Sequence, residues 1–257
     1  MQVVALDKEV LVARSAFWQT NCTVIHRGDE TFVVDSPPLP EELEALTGVL
    51  EHVGWACSGL LATHADWDHL LGCLAFPGLA LACAETSAAR LRAEPGAAAR
   101  ELRAFDEQNY IERPAPLALG QPQELPVPGV LEIGDQQLEL HPTDGHTADG
   151  MAIFVPWAEL LICGDYLSPV EIPMIREGGS RSAYRATLQR LAPLVERVTQ
   201  VVPGHGAVID RPRALAILAE DLAYLETLEL PLARRSAEQK RIHAENLERI
   251  AAEPAGA

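Results

Sequence analysis

The chain has 257 residues, of which 48% are apolar, and it carries a formal net charge of −17. A chain of this length buries roughly three quarters of its unfolded surface and needs no disulfides to hold a core. No run of about 18 apolar residues occurs, which excludes a transmembrane helix. The negative charge repels phosphate backbones and anionic lipids, so we expect neither nucleic acid nor a membrane as a partner.

The cysteines and the first ten residues both favour a cytoplasmic protein. The five cysteines are odd in number and form no CxxC pattern, which favours reduced thiols over a disulfide framework. Residues 1–10 contain Asp7, Lys8 and Glu9, and they lack the basic and apolar regions of a secretory signal. We therefore expect the protein to reside in the cytoplasm.

The first third of the chain predicts strands followed by a helix and a further strand. Gly28-Asp29 separates two runs rich in Val, Ile and Thr, as expected for a hairpin turn. A helix is indicated where apolar residues recur at helical spacing with acidic residues opposite. The predicted strands cover residues 10–14, 22–27, 31–35 and 58–63, the helix covers 40–53, and another helix begins near Trp67 or Asp68.

Residues 85–129 differ in composition from the rest of the chain. They predict two helices rich in Ala and Arg, over 85–92 and 97–110, and then a stretch with five prolines over 114–128. Such a stretch is typical of irregular surface structure. We therefore expect this segment to be an insertion that lies over the remainder of a single domain.

The second half of the chain repeats the order of strands followed by helices. This alternation favours a four-layer αββα sandwich, in which helices cover the outer faces of two packed sheets. We expect residues 1–257 to form one such α/β domain, ending in helices over 211–257. The predicted strands cover 130–133, 137–141, 151–155, 159–163 and 199–202, and the predicted helices cover 182–195, 212–230 and 237–252.

Residues with metal-ligand chemistry concentrate where the predicted strands end. The densest group is the run His64-Ala65-Asp66-Trp67-Asp68-His69, which places two imidazoles and two carboxylates within six positions. Burying so many polar groups without partners is costly, so a purely structural role does not explain the run. A glycine, which lets the backbone approach a crowded site, precedes each of three further candidates. These are Gly145-His146, Gly164-Asp165 and Gly204-His205.

These runs, in this order, resemble the metallo-β-lactamase fold superfamily. The family pattern HxHxDH corresponds to residues 64–69, and the later family turns correspond to Gly145-His146-Thr147, Gly164-Asp165 and Pro203-Gly204-His205-Gly206. The likeness covers about residues 10–210 and implies the αββα fold with two divalent metal ions, zinc first, with iron or manganese as alternatives. The implied ligands are His64, position 66 and His146 for the first ion, Asp68, His69 and His205 for the second, and Asp165 between them.

Position 66 is aspartate where the family pattern has histidine. Three interpretations stay open: Asp66 binds the first ion, as the glutamate does in the related HxExDH pattern of flavodiiron proteins; it acts through a water molecule; or the first site is weak or empty. If Asp66 binds, a third carboxylate lowers the Lewis acidity of the centre and favours harder ions. Replacing Asp66 with histidine should then restore the ligand set of the family.

The resemblance implies a hydrolase. A metal-bound hydroxide would attack an ester-like bond, and Asp68 would hold or deprotonate the attacking water. The expected substrate is a small molecule, with a thioester or lactone favoured and a phosphodiester allowed, and self-association is left open. Two alternatives also stay open, a diiron redox protein related to flavodiiron cores and a non-catalytic metal-binding protein.

Four further residues are candidates for supporting roles. Asp35 ends a predicted strand and could orient a ligand histidine, although it also suits a turn before Pro37. Thr147 could hydrogen-bond a ligand carboxylate or cap a turn. Trp67 and Tyr166 are candidates for the substrate pocket, Trp67 as a wall and Tyr166 as a donor to a carbonyl oxygen, and both also suit packing.

A loop after the implied bridging aspartate contains two more candidates. Arg176 and Arg181 flank Gly178-Gly179, so this loop could close over an anionic group of the substrate, or it could be an exposed mobile loop. Four other histidines are expected outside the centre. They are His26, His52, His141 and His243.

Overall fold

The computed structural model describes residues 1–231 and 233–252, which form two β-sheets packed face to face. The strands of the first sheet lie in chain order: β1 (Gln2–Asp7), β2 (Val10–Arg14), β3 (Asn21–Arg27), β4 (Glu30–Val34), β5 (Gly59–Ala62), β6 (Leu81–Ala84) and β7 (Gln123–Leu125). Strands β1 to β4 pair antiparallel, and β4 to β7 pair parallel.

The second sheet has the spatial order β13-β12-β11-β10-β9-β8. Its strands are β8 (Gly129–Ile133), β9 (Gln136–Pro142), β10 (Met151–Val155), β11 (Leu160–Ile162), β12 (Gln200–Val202) and β13 (Ile209–Asp210). Strands β11 and β12 pair parallel, whereas the other neighbours pair antiparallel.

Helices cover the outer faces of both sheets. They are α1 (Pro40–Val53), α2 (Gly72–Ala75), α3 (Glu85–Ala93), α4 (Ala97–Asn109), α5 (Arg181–Val195), α6 (Arg211–Thr227) and α7 (Ala237–Ala252). Short 3-10 helices cover Trp67–His69 and Pro156–Ala158. In the described part of the chain, no helix combines the length and the apolar character needed to cross a membrane.

Apolar side chains fill three layers, one between the sheets and one between each sheet and its helices. Strand β10 contributes to two of them, because successive side chains of a strand point to opposite faces. Met151, Ile153 and Val155 pack between the sheets, while Ala152 and Phe154 pack against helices of the second sheet. The layers are therefore helix, sheet, sheet and helix, which confirms the predicted αββα sandwich.

Helix α1 has the bounds that the sequence predicts. Pro40 occupies the first turn, where its missing N–H is not needed, and Gly54 ends the helix in the left-handed conformation with φ of 75°. Leu43, Leu46 and Leu50 are buried against the first sheet, as the helical spacing of apolar residues requires.

Four strands, β1, β6, β7 and β13, are absent from the predictions. Strand β6 has four residues and runs directly into α3, and β7 has three residues inside the proline-rich stretch. Such short segments show no periodicity of their own, and parallel pairing with neighbours defines them as strands. Residues 85–129 thus supply α3, α4 and an edge strand of the first sheet.

Four loops that follow strands converge at one edge of the sandwich. Because β11 and β12 are parallel, the loops after them leave the second sheet on the same side, and the Gly204 N–H donates to the Gly164 carbonyl across them at 2.6 Å. The other two are the loop after β5 and the loop between β9 and β10. They meet where the N–H of Met151, the first residue of β10, donates to the carbonyl of Thr63, directly after β5, at 2.7 Å. This edge therefore collects loops from both sheets.

Candidate metal centre

The four converging loops bring seven predicted ligand residues together in two clusters. The first cluster contains His64, Asp66 and His146, and the second contains Asp68, His69 and His205. Within each cluster, one potential ligand atom per residue lies within 4.8 Å of the others. Asp165 contacts both clusters.

The atoms of the first cluster are spaced as the ligands of one ion would be. Asp66 Oδ2 lies 3.6 Å from His64 Nε2 and 3.3 Å from His146 Nε2. Asp165 Oδ2 lies 3.7 Å from His64 Nε2 and 3.3 Å from His146 Nε2. Ligands held tetrahedrally at 2.0–2.2 Å are about 3.3–3.6 Å apart, so these four distances of 3.3 to 3.7 Å are close to the edge lengths of such a polyhedron.

The second cluster repeats this spacing with the other oxygen of Asp165. Asp165 Oδ1 lies 3.2 Å from His69 Nε2 and 3.5 Å from His205 Nε2. Asp68 Oδ2 lies 3.6 Å from His69 Nε2 and 3.5 Å from His205 Nε2. Each oxygen of Asp165 therefore faces a different cluster, which is the position of a bridging carboxylate.

The donor atoms are buried and several lack a hydrogen-bond partner among the described residues. These orphaned atoms include Nε2 of His64, Nε2 of His69 and Oδ1 of Asp165. A buried polar group without a partner is costly, and imidazole nitrogens beside carboxylate oxygens are ligands that divalent ions accept. The residues present therefore fit a metal ion in each cluster.

The opposite charges of Asp165 and His205 shift the pKa of each group. Burial raises the pKa of Asp165, but the charges of His205 and His69 outweigh burial and lower that pKa well below its ordinary value. Burial lowers the pKa of His205, but Glu171 and Asp165 raise it to about 10. The carboxylates thus stabilise positive charge at the imidazoles, and a cation bound at Nε2 would take the place of the imidazolium protons.

The glycines that precede the ligands are required by close backbone approach. A Cβ at Gly204 would lie 2.1 Å from Asp165 Oδ1. A Cβ at Gly145, whose φ is +119°, would lie 2.1 Å from the Tyr184 backbone nitrogen. Both positions need glycine because the chain has no room for a side chain there.

Asp35 lies where it can orient a ligand histidine, as the sequence suggested. Its Oδ2 is 3.0 Å from His69 Nδ1, and the Thr63 N–H and hydroxyl donate to the same carboxylate at 2.8 and 2.9 Å. Asp35 adopts a left-handed backbone with φ of 57°, a conformation that aspartate tolerates better than most residues. The Nε2 atom of His69 is thereby left for the cluster.

Backbone carbonyls perform the same task for two other histidines. Nδ1 of His146 lies 2.7 Å from the Met174 carbonyl oxygen, and Nδ1 of His205 lies 3.1 Å from the Trp18 carbonyl oxygen. A carbonyl accepts the Nδ1 proton, which leaves Nε2 without one and ready to bind a cation. Neither Met174 nor Trp18 was predicted, because a backbone acceptor has no signature in sequence.

Two arginines bind Asp66, and no signal in the sequence links either of them to it. Arg90 Nη2 lies 2.8 Å from Asp66 Oδ1, and Arg176 Nη1 lies 2.8 Å from Asp66 Oδ2. Burial raises the pKa of Asp66, but its contacts with His146 and His64 and the charge of Arg176 lower that pKa well below its ordinary value. Arg176 does line the cleft, but its guanidinium pairs with protein carboxylates.

Three other candidates lie away from the roles suggested for them. Tyr166 is buried and does not line the cleft beside the clusters, and its hydroxyl accepts a hydrogen bond from the His146 N–H at 3.0 Å, so it supports the loop of His146. The Thr147 hydroxyl donates to the Asp149 carbonyl at 3.0 Å, so it caps a turn instead of binding a ligand carboxylate. Arg181 Nη2 donates to the Glu226 carbonyl at the end of α6, at 2.8 Å, instead of facing a substrate.

A cleft of about 380 Å³ opens beside the two clusters. Trp67 lines it, as suggested, and packs against Phe105 with ring centroids 4.7 Å apart. Trp18, which is 44% exposed, forms a further part of the wall, and helix α7 forms another. The four histidines that were expected outside the centre do not line this cleft.

The chain was compared with known protein families, curated proteins and solved structures. The family model described as the metallo-beta-lactamase superfamily matches residues 16–205. A search of the curated proteins found no significant match. Several solved structures share the fold at low sequence identity.

A metallo-beta-lactamase family protein from Thermus thermophilus is 23% identical, with a TM-score of 0.68 and coverage of 95% of each chain. A metallo-beta-lactamase from Pontibacter korlensis is 19% identical, with a TM-score of 0.65, covering 88% of this chain and 99% of that one. The BLEG-1 B3 metallo-beta-lactamase is 21% identical, with a TM-score of 0.64, covering 80% and 96%. Since the family model spans most of the chain and the fold agrees, the chain belongs to the metallo-beta-lactamase superfamily, whose members are generally metal-dependent hydrolases.

Proposed function

We propose that this protein is a binuclear metal-dependent hydrolase that cleaves an ester-like bond in a small molecule, with a thioester or lactone as the favoured substrate. One observation carries the proposal. Two sets of buried ligand atoms, each sized for one ion, share the two oxygens of Asp165. Zinc is the favoured ion, and iron and manganese are the alternatives, because histidine and carboxylate ligands suit all three.

The residues of the chain divide the work of hydrolysis. The metal ions, when bound, supply a water molecule of lowered pKa and a Lewis acid for the developing negative charge. The histidines, Asp66, Asp68 and Asp165 would hold the ions, and Asp68, which also lines the cleft, would accept the proton of the attacking water. A substrate that fills the cleft displaces water from it, which strengthens these electrostatic interactions.

The cleft itself favours a small substrate with an apolar portion. Trp18, Trp67, Ile172 and Met174 line it beside the ligand residues. Apolar and aromatic walls around a few polar groups are typical of sites for small molecules. The net charge of −17 argues against a nucleic-acid substrate.

The proposal is tested with a panel of ester, thioester, lactone and phosphodiester substrates. Protein stripped with a chelator is reloaded with zinc, iron or manganese, and each form is assayed in parallel with His205→Ala and the matched control His141→Ala. We expect metal-dependent hydrolysis of a carboxylic ester, thioester or lactone, lost in His205→Ala and kept in His141→Ala. An iron form that is coloured, redox-active and hydrolytically inert would contradict the proposal and favour the redox alternative. Failure to bind any of the three ions would contradict it as well.

A further inference from the structure

Asp66 differs from the other carboxylates of the centre in its partners. It is 2% exposed, and both of its oxygens contact a guanidinium group at 2.8 Å. Among the described residues, the ion pairs of Asp68 and Asp165 are with histidines alone. The one aspartate that replaces a family histidine is thus the one that two arginines bind.

Arg90 ties Asp66 to the backbone of its own loop. The Nη2 atom of Arg90 contacts Asp66 Oδ1, and its Nη1 donates to Asp149 Oδ1 at 2.9 Å. The second oxygen of Asp149 accepts the Ala65 N–H at 2.9 Å. Arg90 and Asp149 therefore hold both the side chain of Asp66 and the peptide that precedes it.

Arg176 ties the other oxygen to the loop of His146. Its Nη1 contacts Asp66 Oδ2, its Nη2 contacts Glu101 Oε2 at 3.1 Å, and its backbone N–H donates to the His146 carbonyl at 2.7 Å. Asp66 Oδ2 is also the oxygen that lies 3.3 Å from His146 Nε2. The guanidinium of Arg176 therefore lies directly beside the first cluster.

We propose that Arg90 and Arg176 are positioning residues that adapt the first metal site to a carboxylate at position 66. Arg90 holds Oδ1 so that Oδ2 faces His64 and His146, and the two guanidinium charges offset the charge that aspartate adds relative to histidine. A buried charge needs a paired partner, so position 66 and these arginines are coupled. The inference rests on the proposed two-ion centre.

The coupling reverses the simple expectation for Asp66→His. An imidazole at position 66 would restore the family pattern, but it would leave Arg176 beside the first cluster without the buried carboxylate. Arg90 would keep Asp149 as a partner, whereas Arg176 would keep Glu101, whose side chain is 42% exposed. We therefore expect Asp66→His to weaken the first site, and we expect the additional change Arg176→Met to recover it.

The test is a double-mutant cycle over Asp66→His and Arg176→Met. The control is Asp66→His combined with Arg92→Met, because Arg92 lies on the same helix as Arg90 and pairs with Glu124. Zinc bound per chain is counted after equilibrium dialysis, and Tm is measured on protein stripped of metal. Asp66→Asn, with and without Arg176→Met, repeats the Tm cycle with an isosteric neutral residue in case the histidine variants fail to fold.

We expect two zinc ions per wild-type chain, one per Asp66→His chain, and two in the double variant with Arg176→Met but not in the control. Metal-free Asp66→His should melt at least about 5 °C below the metal-free wild type, and Arg176→Met should reduce this difference. Two zinc ions in Asp66→His with an unchanged Tm, or equal recovery in the control, would overturn the coupling alone. Fewer than two zinc ions in the wild type would overturn the proposed centre and this inference together.

Discussion

The two ligand clusters lie in one loop system but are stabilised in different ways. In the first, Asp66 binds two arginines that extend to Asp149 and Glu101. In the second, Asp35 orients His69, a backbone carbonyl orients His205, and Asp68 pairs with histidines. The positive charges of Arg90 and Arg176 repel a cation at the first cluster. Among the described residues, no arginine or lysine forms an ion pair with Asp68 of the second cluster. We therefore expect the second site to bind its ion more tightly.

The largest expected effect comes from removing a ligand of the second cluster. His69→Ala and His205→Ala should each lower kcat/KM by at least about 10³-fold, since a bound metal supplies several kcal/mol of transition-state stabilisation. His141→Ala and His243→Ala are the matched controls, and kcat/KM should change by no more than about twofold, as for surface substitutions. Steady-state kinetics on a substrate from the panel provides the measurement. Equal losses in both groups would refute the ligand assignment.

Metal removal should separate the two clusters by affinity. A chelator should lower Tm by about 5–10 °C, because bound ions stabilise the native state by mass action and offset the repulsion of three buried carboxylates. We expect the two ions to be lost in two steps, with the ion of the first cluster leaving at a lower chelator concentration than the ion of the second cluster. Chelator saturated with calcium is the control. A Tm that is insensitive to the free chelator would contradict a resident metal in either cluster.

The sequence identifies the candidate ligands more fully than the residues that hold them in place. His64, Asp66, Asp68 and His69 are recognisable because they are adjacent in the chain and directly follow a strand. Arg90, by contrast, is one of two arginines on α3, and only the packing of that helix brings it to Asp66. Backbone acceptors such as the Met174 carbonyl carry no residue signature at all.

The elements of the fold also divide into those that the sequence predicts and those that it does not. Helix α1 is predicted because its apolar residues recur with the helical period. Strand β10 is predicted because Met151–Val155 is an unbroken apolar run. Strand β7 is not, since its three residues take their structure from pairing with β6. Local pattern thus predicts the larger elements, whereas contacts distant in sequence determine the short strands and the arginine partners.

A smaller effect tests the support of the second cluster. Asp35→Asn should lower metal affinity or activity by about 10–100-fold, because the carboxylate that orients His69 becomes a neutral amide. Thr147→Val is the comparison, and its effect should be clearly smaller, since its hydroxyl donates to the Asp149 carbonyl and touches no ligand. Metal dissociation constants and kcat/KM are measured for both variants. Similar losses for the two would contradict the orienting role of Asp35.

The smallest effect concerns Asp149, the second carboxylate that Arg90 contacts. Burial raises the pKa of Asp149, but the charges of His64 and Arg90 and the hydrogen bond from Arg90 outweigh burial, so its pKa is lowered from 3.8. A lowered pKa of an acid contributes stability above the unfolded value near 3.8, and this stability is lost as the pH falls through the folded value. Asp149→Asn should therefore lower the free energy of unfolding by about 1–3 kcal/mol at neutral pH.

The pH dependence of this difference is checked by denaturant unfolding of the wild type and Asp149→Asn between neutral pH and pH 3. The difference should shrink as the pH falls below 3.8, because the wild-type carboxyl group then becomes protonated. Glu139→Gln, which removes an exposed ion pair with Arg197, serves as the control with a smaller effect at neutral pH. A difference between wild type and Asp149→Asn that stays constant or grows toward low pH would contradict the stated role of Asp149.

Two cations should share Asp165, and Asp66 should bind one of them through Oδ2. Anomalous diffraction from crystals of the zinc-loaded protein, recorded on both sides of the metal absorption edge, locates both ions. We predict two anomalous peaks, one about 2.0–2.2 Å from His64, Asp66, His146 and Asp165 and the other equally close to Asp68, His69, His205 and Asp165. A single peak at the second cluster, or a first-site ion without Asp66 in contact, would contradict the account.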